Sequence, residues 1–369
     1  MDKSGMVSLP LHSGKAPRWL FQRMVSLARG IIEIVILEYQ PVELIRRLSD
    51  PFWFQAFSCT LGFDWHSSGT TTVTCGVLKE VLSPNLHGIG IAGGKGKRAR
   101  KTLKEIDDLG DMFGLTSSKI ESLRYSSRMA AKVDSAALQD GHQLYHHNII
   151  FTEQGKWIVI QQGMDSENKR ARRYHWLSES IQDFIEEPHE AILGLKGKVL
   201  DMTSKRSNQT KKISLDLIND HPRHIKRDWK RMYISNNQST LLNFKKCNNT
   251  PAFIKMPKTI NWKLMKDIYD FQPKNYEEFL SLRGVGPSTV RALALISNLI
   301  YGCAPSWKDP VKYTFTVGGK DGVPYPVDKK AMDRSISIIE NGVKQAKMGK
   351  EEKLRALKRL QRFIPPEIR

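Results

Sequence analysis

The stretch KVDSAALQDGHQLYHH, residues 132–147, places two carboxylates, Asp134 and Asp140, close to three imidazoles, His142, His146 and His147. Carboxylate oxygens are the donors that Mg²⁺ or Mn²⁺ prefers, and a neighbouring imidazole can move a proton. Together they are the means of metal-assisted phosphodiester cleavage. Asp134 and Asp140 are therefore the candidate metal ligands, and with His142 and His146 the candidate catalytic groups. The spacing matches no known metal signature. His142 and His146 fall on one helix face only if a helix runs through Gly141, and each group has an ordinary alternative as a cap or surface residue. A restriction-type nuclease is excluded, because Glu153 and Lys156 flank a predicted turn instead of sharing adjacent strand positions.

A second site is written in LRGVGPSTVRALALI, residues 282–296. Gly284 and Gly286 can take positive φ, Pro287 suits the first turn of a helix, and Ser288 and Thr289 can serve that turn's free donors. Val285 and the following Val290, Leu293 and Ile296 supply packing. Two helices joined by Gly-X-Gly resemble the helix-hairpin-helix family of DNA-binding motifs. The resemblance implies that the hairpin amides and the second helix's N-terminus form a nest for a phosphate oxygen, with Arg283 and Arg291 adding charge. The alternative is a tight helical hairpin whose glycines only permit close packing. The run around GGKGK brings Lys95 and Lys97, with Arg98, Arg100 and Lys101, as a second candidate phosphate contact; it lacks the P-loop pattern.

The hairpin also resembles that of the base-excision DNA glycosylases, whose catalytic aspartate follows on a P-x-V-D segment. VPYPVDKKAMDRSI offers Asp328 for that role. The insert before it is longer than in that family, and Ser288 stands where lyase-competent members carry lysine, so a Schiff-base mechanism is not supported.

These residues need elements to hold them. Helical periodicity predicts helices over 16–39 and 41–49, around 103–115 and 119–141, over 168–185, and in several stretches after 261. Two β-branched and aromatic runs around Gln154-Gly155 predict a β-hairpin. The glycine-rich 87–102 reads as a loop, and 196–260 as a polar linker broken by one helix near Ile213. The expected class is α+β: a mixed α/β domain over 1–195, a basic polar segment over 196–260, and a small helical domain over 261–369.

Charge divides the same way. The 369 residues carry a net +20, yet residues 1–194 hold 23 Lys/Arg against 22 Asp/Glu, while 195–260 hold 15 against 4 and 261–369 hold 20 against 12. Such an excess points to a polyanion, and nucleic acid is the commonest. The four cysteines are scattered, which excludes an iron–sulfur cluster or a cysteine zinc site and suits reduced thiols. GIIEIVILEY is too short to span a bilayer and the start is no signal peptide, so a cytoplasmic protein without membrane contact is expected.

The segments LPLHSGKAPRWLFQRM, DPFWFQAFSCTLGFDWHSSGTTT, KVDSAALQDGHQLYHH, ARRYHW and GGKDGVPYPVD resemble, over nearly the whole chain, a prokaryotic, mainly archaeal family catalogued as a domain of unknown function. That resemblance implies no activity. The expectation from the residues is a DNA-binding protein of the repair or processing kind, with any nuclease site in the front half. The alternatives are a glycosylase using Asp328 and a non-catalytic nucleic-acid or RNA-binding scaffold.

Overall fold

The computed structural model describes residues 8–11, 16–63, 67–237, 255–311 and parts of 337–358. Alternation of side chains builds its centre. In β3 (Gln143–Thr152) and β4 (Trp157–Asp165), Ile149, Phe151, Trp157 and Val159 join one apolar cluster, and Ile150, Ile158 and Ile160 join another on the opposite side. That is the period of two expected of a strand. The predicted hairpin forms, with Gly155 at φ 84° and Phe151 opposite Trp157.

Three further strands, β1 (Ile89–Lys95), β5 (Arg170–Leu177) and β6 (Ala191–Leu193), complete an antiparallel sheet of order β1-β3-β4-β5-β6. A separate two-stranded ladder joins β2 (Leu138–Gln139) to β7 (Leu200–Asp201). Helices cover both faces of the main sheet, so the class is α+β.

One layer contains α1 (Arg18–Ser49), α2 (Pro51–Leu61), α3 (Ser68–Val81) and the short α4 (Pro84–His87). α1 breaks at Gln40, just before Pro41, where two helices were expected. The other layer holds α5 (Thr102–Met112), α6 (Ser117–Lys132), α7 (Asn208–Asn219), α8 (Pro222–Asn237), α9 (Trp262–Phe271), α10 (Tyr276–Ser281) and α11 (Pro287–Tyr301). Among the described residues, no helix is long and apolar enough to cross a membrane.

Three expectations give way. Residues 89–95 are a strand, not a loop. Gly93 sits at φ 102°, and a Cβ there would lie 2.2 Å from the His147 carbonyl oxygen, so the glycine is what lets β1 approach β3. Glu105 accepts from the Gly93 amide at 2.6 Å while Lys79 donates to the Gly93 carbonyl at 2.8 Å, which pins this edge. Residues 170–177 are a strand, not a helix. Both faces of β5 are covered, so its burial is continuous and no alternation marks it.

Third, the segment after 196 is not only loops around one helix. It carries β7, α7 and α8, and its Leu200, Met202, Leu217, Ile218 and Ile225 lie in the same cluster as Val159 and Trp176 of the sheet. The residues after 261 divide between the two layers. Leu264, Met265, Ile268, Val290 and Leu293 join that cluster, whereas Ile339, Val343 and Ala356 pack with α1–α3. One core therefore runs through all three stretches of sequence.

Gly93→Ala tests the β1 approach. Positive φ and a clash with backbone predict a loss of about 3 kcal/mol or more, read as a lower urea midpoint. A midpoint equal to wild type would show that β1 can shift freely.

Candidate nucleic-acid interface and its buried polar support

At the end of the sheet where β1 and β4 finish, the apolar alternation stops and two polar rows cross the strands. The register aligns His147, Gln161 and Tyr174 in one row and His146, Gln162 and Arg173 in the next. Consecutive strand residues face opposite sides, so the first row faces α6 and the second faces α3.

On the α6 side, Asp134 is carried by a π-helical turn, Val133–Ala137, that follows α6. It is 1% exposed. Its Oδ2 accepts from Trp176 Nε1 at 3.0 Å and from Gln161 Nε2, and its Oδ1 accepts from His189 Nε2. Gln161 Nε2 also donates to the Ala130 carbonyl at 2.9 Å, so the amide nitrogen is identified and Oε1 is left to accept. That oxygen accepts a hydrogen bond from His147 Nδ1 at 2.7 Å, which leaves His147 Nε2 to accept from Ser127 Oγ at 2.8 Å. A single chain of hydrogen bonds thus runs Ser127–His147–Gln161–Asp134–His189.

Asp140 belongs to a different network. Its Oδ1 accepts from the His142 amide at 2.9 Å, and its Oδ2 from Arg172 Nη1 at 3.0 Å and Tyr174 Oη at 2.6 Å. Arg172, 1% exposed, also donates to Asp309 at 2.7 Å and to the Leu195 carbonyl at 2.6 Å. Burial by itself would raise the Asp140 carboxyl. The Arg172 guanidinium, with His142 and Tyr174 donating, outweighs burial and holds it well below the usual carboxylate range.

The structure therefore does not bring Asp134 and Asp140 to one ion. Both oxygens of each are engaged by N–H or O–H donors of the protein itself, and the Tyr174 and His189 rings of the two networks lie 6.1 Å apart. As they stand, these carboxylates do not fit a shared Mg²⁺ or Mn²⁺ site. Among the described residues, no group of three or more His, Cys, Asp or Glu is placed to hold a metal. His142 and His146 share no helix: Gly141 has φ 83°, β3 begins at Gln143, and the ladder is irregular between Leu144 and His146. His146 faces the α3 side, where its Nε2 lies 3.0 Å from Asn148 Nδ2 and its Nδ1 is buried without a partner. Asp328 and the GGKDG segment lie outside the described residues.

The β1 side of this end is cationic, whereas β4 closes on Asp165 and the exposed Glu167. Lys95 closes β1, and a 3₁₀ turn, Gly96–Lys101, leads into α5. Lys95, Lys97, Arg98, Arg100 and Lys101 are all exposed. Lys95 Nζ stands 5.8 Å from the centre of the Tyr145 ring.

The α10–α11 corner is also at the surface. Arg283, Gly284, Pro287 and Ser288 are exposed, while Val285 and Thr289 are buried beneath them. Gly284 has φ 92°, as its sequence position suggested, but Gly286 is extended at φ −143° and caps α11 without any side-chain hydrogen bond to the first turn. Its glycine is not required by backbone conformation: a Cβ there would meet only the Gly284 carbonyl, at 3.9 Å. Arg291 turns inward, its Nη1 3.3 Å from Gln139 Oε1, so it adds less outward charge than expected.

Two residues the sequence did not single out for the corner fasten it. Lys132 Nζ donates to the Leu282 carbonyl at 3.1 Å, and Gln139 Nε2 donates to the Pro287 carbonyl at 2.8 Å. Gln139 and His146 are seven residues apart, at most about 25 Å of chain. Gln139 holds the corner and His146 pairs with Lys95, so a short stretch of chain links corner and loop. His189, the buried partner of Asp134, was also missed; a lone histidine in EPHE carries no periodic signal.

The buried imidazoles set a pH limit. Burial, reinforced by His147 and Lys95, pushes His146 down to about 3; burial is also the first cause of the lowered His147 and His175. Unfolded, each would titrate near ~6.5, so below that pH the unfolded chain binds protons that the folded chain refuses. The stability is present above pH ~6.5 and is lost as pH falls, by at most about 1.4 kcal/mol per pH unit for each histidine. Urea midpoints should drop between pH 7 and pH 5, and His146→Asn should make the drop shallower. An identical pH slope in that variant would mean His146 is not held neutral.

No curated protein and no solved structure matches this chain. A family model matches residues 5–327, from before the first layer of helices to beyond the α10–α11 corner, and on it the chain belongs to the family described as "Protein of unknown function (DUF763)".

Proposed function

We propose that the protein binds DNA, as a repair or processing factor, by gripping the phosphate backbone at the α10–α11 corner and the 95–101 loop. The corner is read as a helix-hairpin-helix. The observation that carries this reading is the exposure of Arg283, Gly284 and Ser288 beside a helix start that no side chain caps. The first-turn amides and the helix dipole favour an anion there, and such contacts position a backbone without reading bases. The loop adds five exposed cations for which no ion pair is found among the described residues. Counterion release from phosphates would make the binding strongly salt-dependent.

No reaction is assigned. A metal-dependent nuclease built on Asp134 and Asp140 would need both carboxylates freed from the donors that hold them. The reading is a grip, and the buried networks are what keep the gripping elements in place.

The glycines separate binding from folding. Gly286→Val fits an extended backbone and open space, so it should fold with a melting temperature near wild type. Its side chain blocks close approach to the nest, and affinity for a labelled DNA duplex should fall about tenfold, the ~1.4 kcal/mol scale of one lost charge-assisted contact. Gly284→Val should instead destabilise, since it forces a β-branched residue to positive φ with Leu264 3.2 Å from its Cβ. Wild-type affinity in folded Gly286→Val would remove the corner from the interface.

A further inference from the structure

The cationic surface does not end at the corner. Leu264, in the first turn of α9, packs against Gly284. Beside it, Trp262 carries Lys226 of α8 over its ring, with Nζ 5.7 Å from the centre, and Trp229 of α8 meets the same ring edge-on at 5.9 Å. Corner and α8 are therefore linked through the first turn of α9, which carries both Leu264 and Trp262. Lys263, exposed in the same turn, lies between them in sequence.

α8 continues it by helical arithmetic. Arg223, Lys226, Arg227, Lys230 and Arg231 are all exposed, and positions i, i+3, i+4, i+7 and i+8 fall on one helix face. The stripe runs about 12 Å along the axis. The opposite face is packed, with Ile225 and Asp228 buried. Asp228 lies 3.6 Å from Arg227 and 3.9 Å from Arg231, and it also accepts from Tyr301 at 3.2 Å. Arg223, Lys226 and Lys230 have no carboxylate within ion-pair distance among the described residues. Beyond Asp228, the acids nearest along the chain are Asp220, paired with His224 at 2.7 Å, and Asp216, exposed on α7.

We propose that α8 and the first turn of α9 extend the phosphate-binding surface from the glycine corner, forming one track for a DNA duplex. This rests on the reading of the corner as a phosphate grip. A basic stripe also suits an anionic membrane, but an interfacial membrane helix must offer an apolar face to lipid. Over the described side chains of α8, as far as Arg231, the face opposite the stripe packs into the core through Ile225, which favours DNA as the partner. A track of point charges on one rigid helix gives orientation along the strand and little base preference.

The test uses the full chain carrying Arg223→Gln, Lys226→Gln and Lys230→Gln together. All three are exposed, so the circular dichroism spectrum should match wild type, and the melting temperature should fall at most slightly with the loss of the Lys226–Trp262 contact. Binding to a fluorescent DNA duplex is measured by anisotropy over a range of salt, beside wild type and Gly286→Val. Each phosphate contact removed should lower the magnitude of the salt slope by about 0.9, so the triple variant should lose between about two and three, with affinity down at least about tenfold. Failure of wild type to bind DNA would overturn the grip and the track together. Wild-type binding that Gly286→Val weakens and the triple variant leaves unchanged would overturn the track alone. Phosphatidylserine vesicles form the last arm: vesicle binding lost in the triple variant, with DNA binding intact, would also overturn it.

Discussion

A sheet covered by helices on both faces leaves no water for the polar groups at its centre, and the middle of this molecule is organised around answering them. The rows His147–Gln161–Tyr174 and His146–Gln162–Arg173 cross strands that are otherwise Ile, Val, Phe and Trp. An unpaired buried charge costs several kcal/mol, whereas a fully answered one is close to neutral. Each buried carboxylate therefore collects partners from separate stretches of chain. Asp134 draws on 161, 176 and 189; Arg172 draws together Asp140, Leu195 and Asp309. Such networks do little for net stability. They specify which segments meet, because any other pairing leaves a charge alone.

The same interior reaches the surface through short links. The π-helical turn that carries Asp134 leads into β2, and Gln139 in β2 bonds a carbonyl in the first turn of α11. Lys132, at the end of α6, bonds the carbonyl just before the glycine corner. The corner is thereby tied to the rigid part of the fold from two directions, with Leu264 beneath it. A nest of amides grips an anion well only if its geometry exists before the anion arrives. This fastening supplies that, and it joins the buried residues to the proposed grip without giving them any role in chemistry.

How much of this was legible in the sequence depended on whether a signal was local. The β3–β4 hairpin, the helices α9 to α11 and the corner at Gly284 were readable, because alternation, periodicity and turn residues lie within a few positions of each other. β1 was not. Its glycines look like a loop, yet Gly93 is there because His147 comes within 2.2 Å of where a side chain would begin. β5 was not, because burial on both faces erased its period, and its two buried arginines imitate a solvated helix. The run from 196 looked poor in core residues because its apolar side chains are few; those few, Leu200, Met202, Leu217, Ile218 and Ile225, are buried in a core built mostly by other segments. The partners of Asp134 were invisible for the same reason: a contact between residues 134 and 189 leaves no mark in either neighbourhood.

Net charge was the least local signal of all, and it pointed away from one of the two surfaces now proposed to meet DNA. Residues 1–194 are nearly neutral, 23 cations against 22 anions. The structure shows where several of the anions are engaged: Glu105 with Lys79 at 2.6 Å, Asp107 with Arg124 at 2.7 Å, Glu121 with Arg128 at 2.7 Å, and Glu179 with Arg46 at 2.6 Å. Asp134 and Asp140 are enclosed. Those anions face inward or toward a chosen cation, and the loop at 95–101 keeps its five cations at the surface. Beyond a Debye length of about 10 Å a distant carboxylate no longer offsets a lysine, so the potential a phosphate meets is set by pairing within that radius and not by the sum over a domain. On that scale the end of β1 presents five exposed cations, as α8 does along its stripe, whatever the sum over the front half.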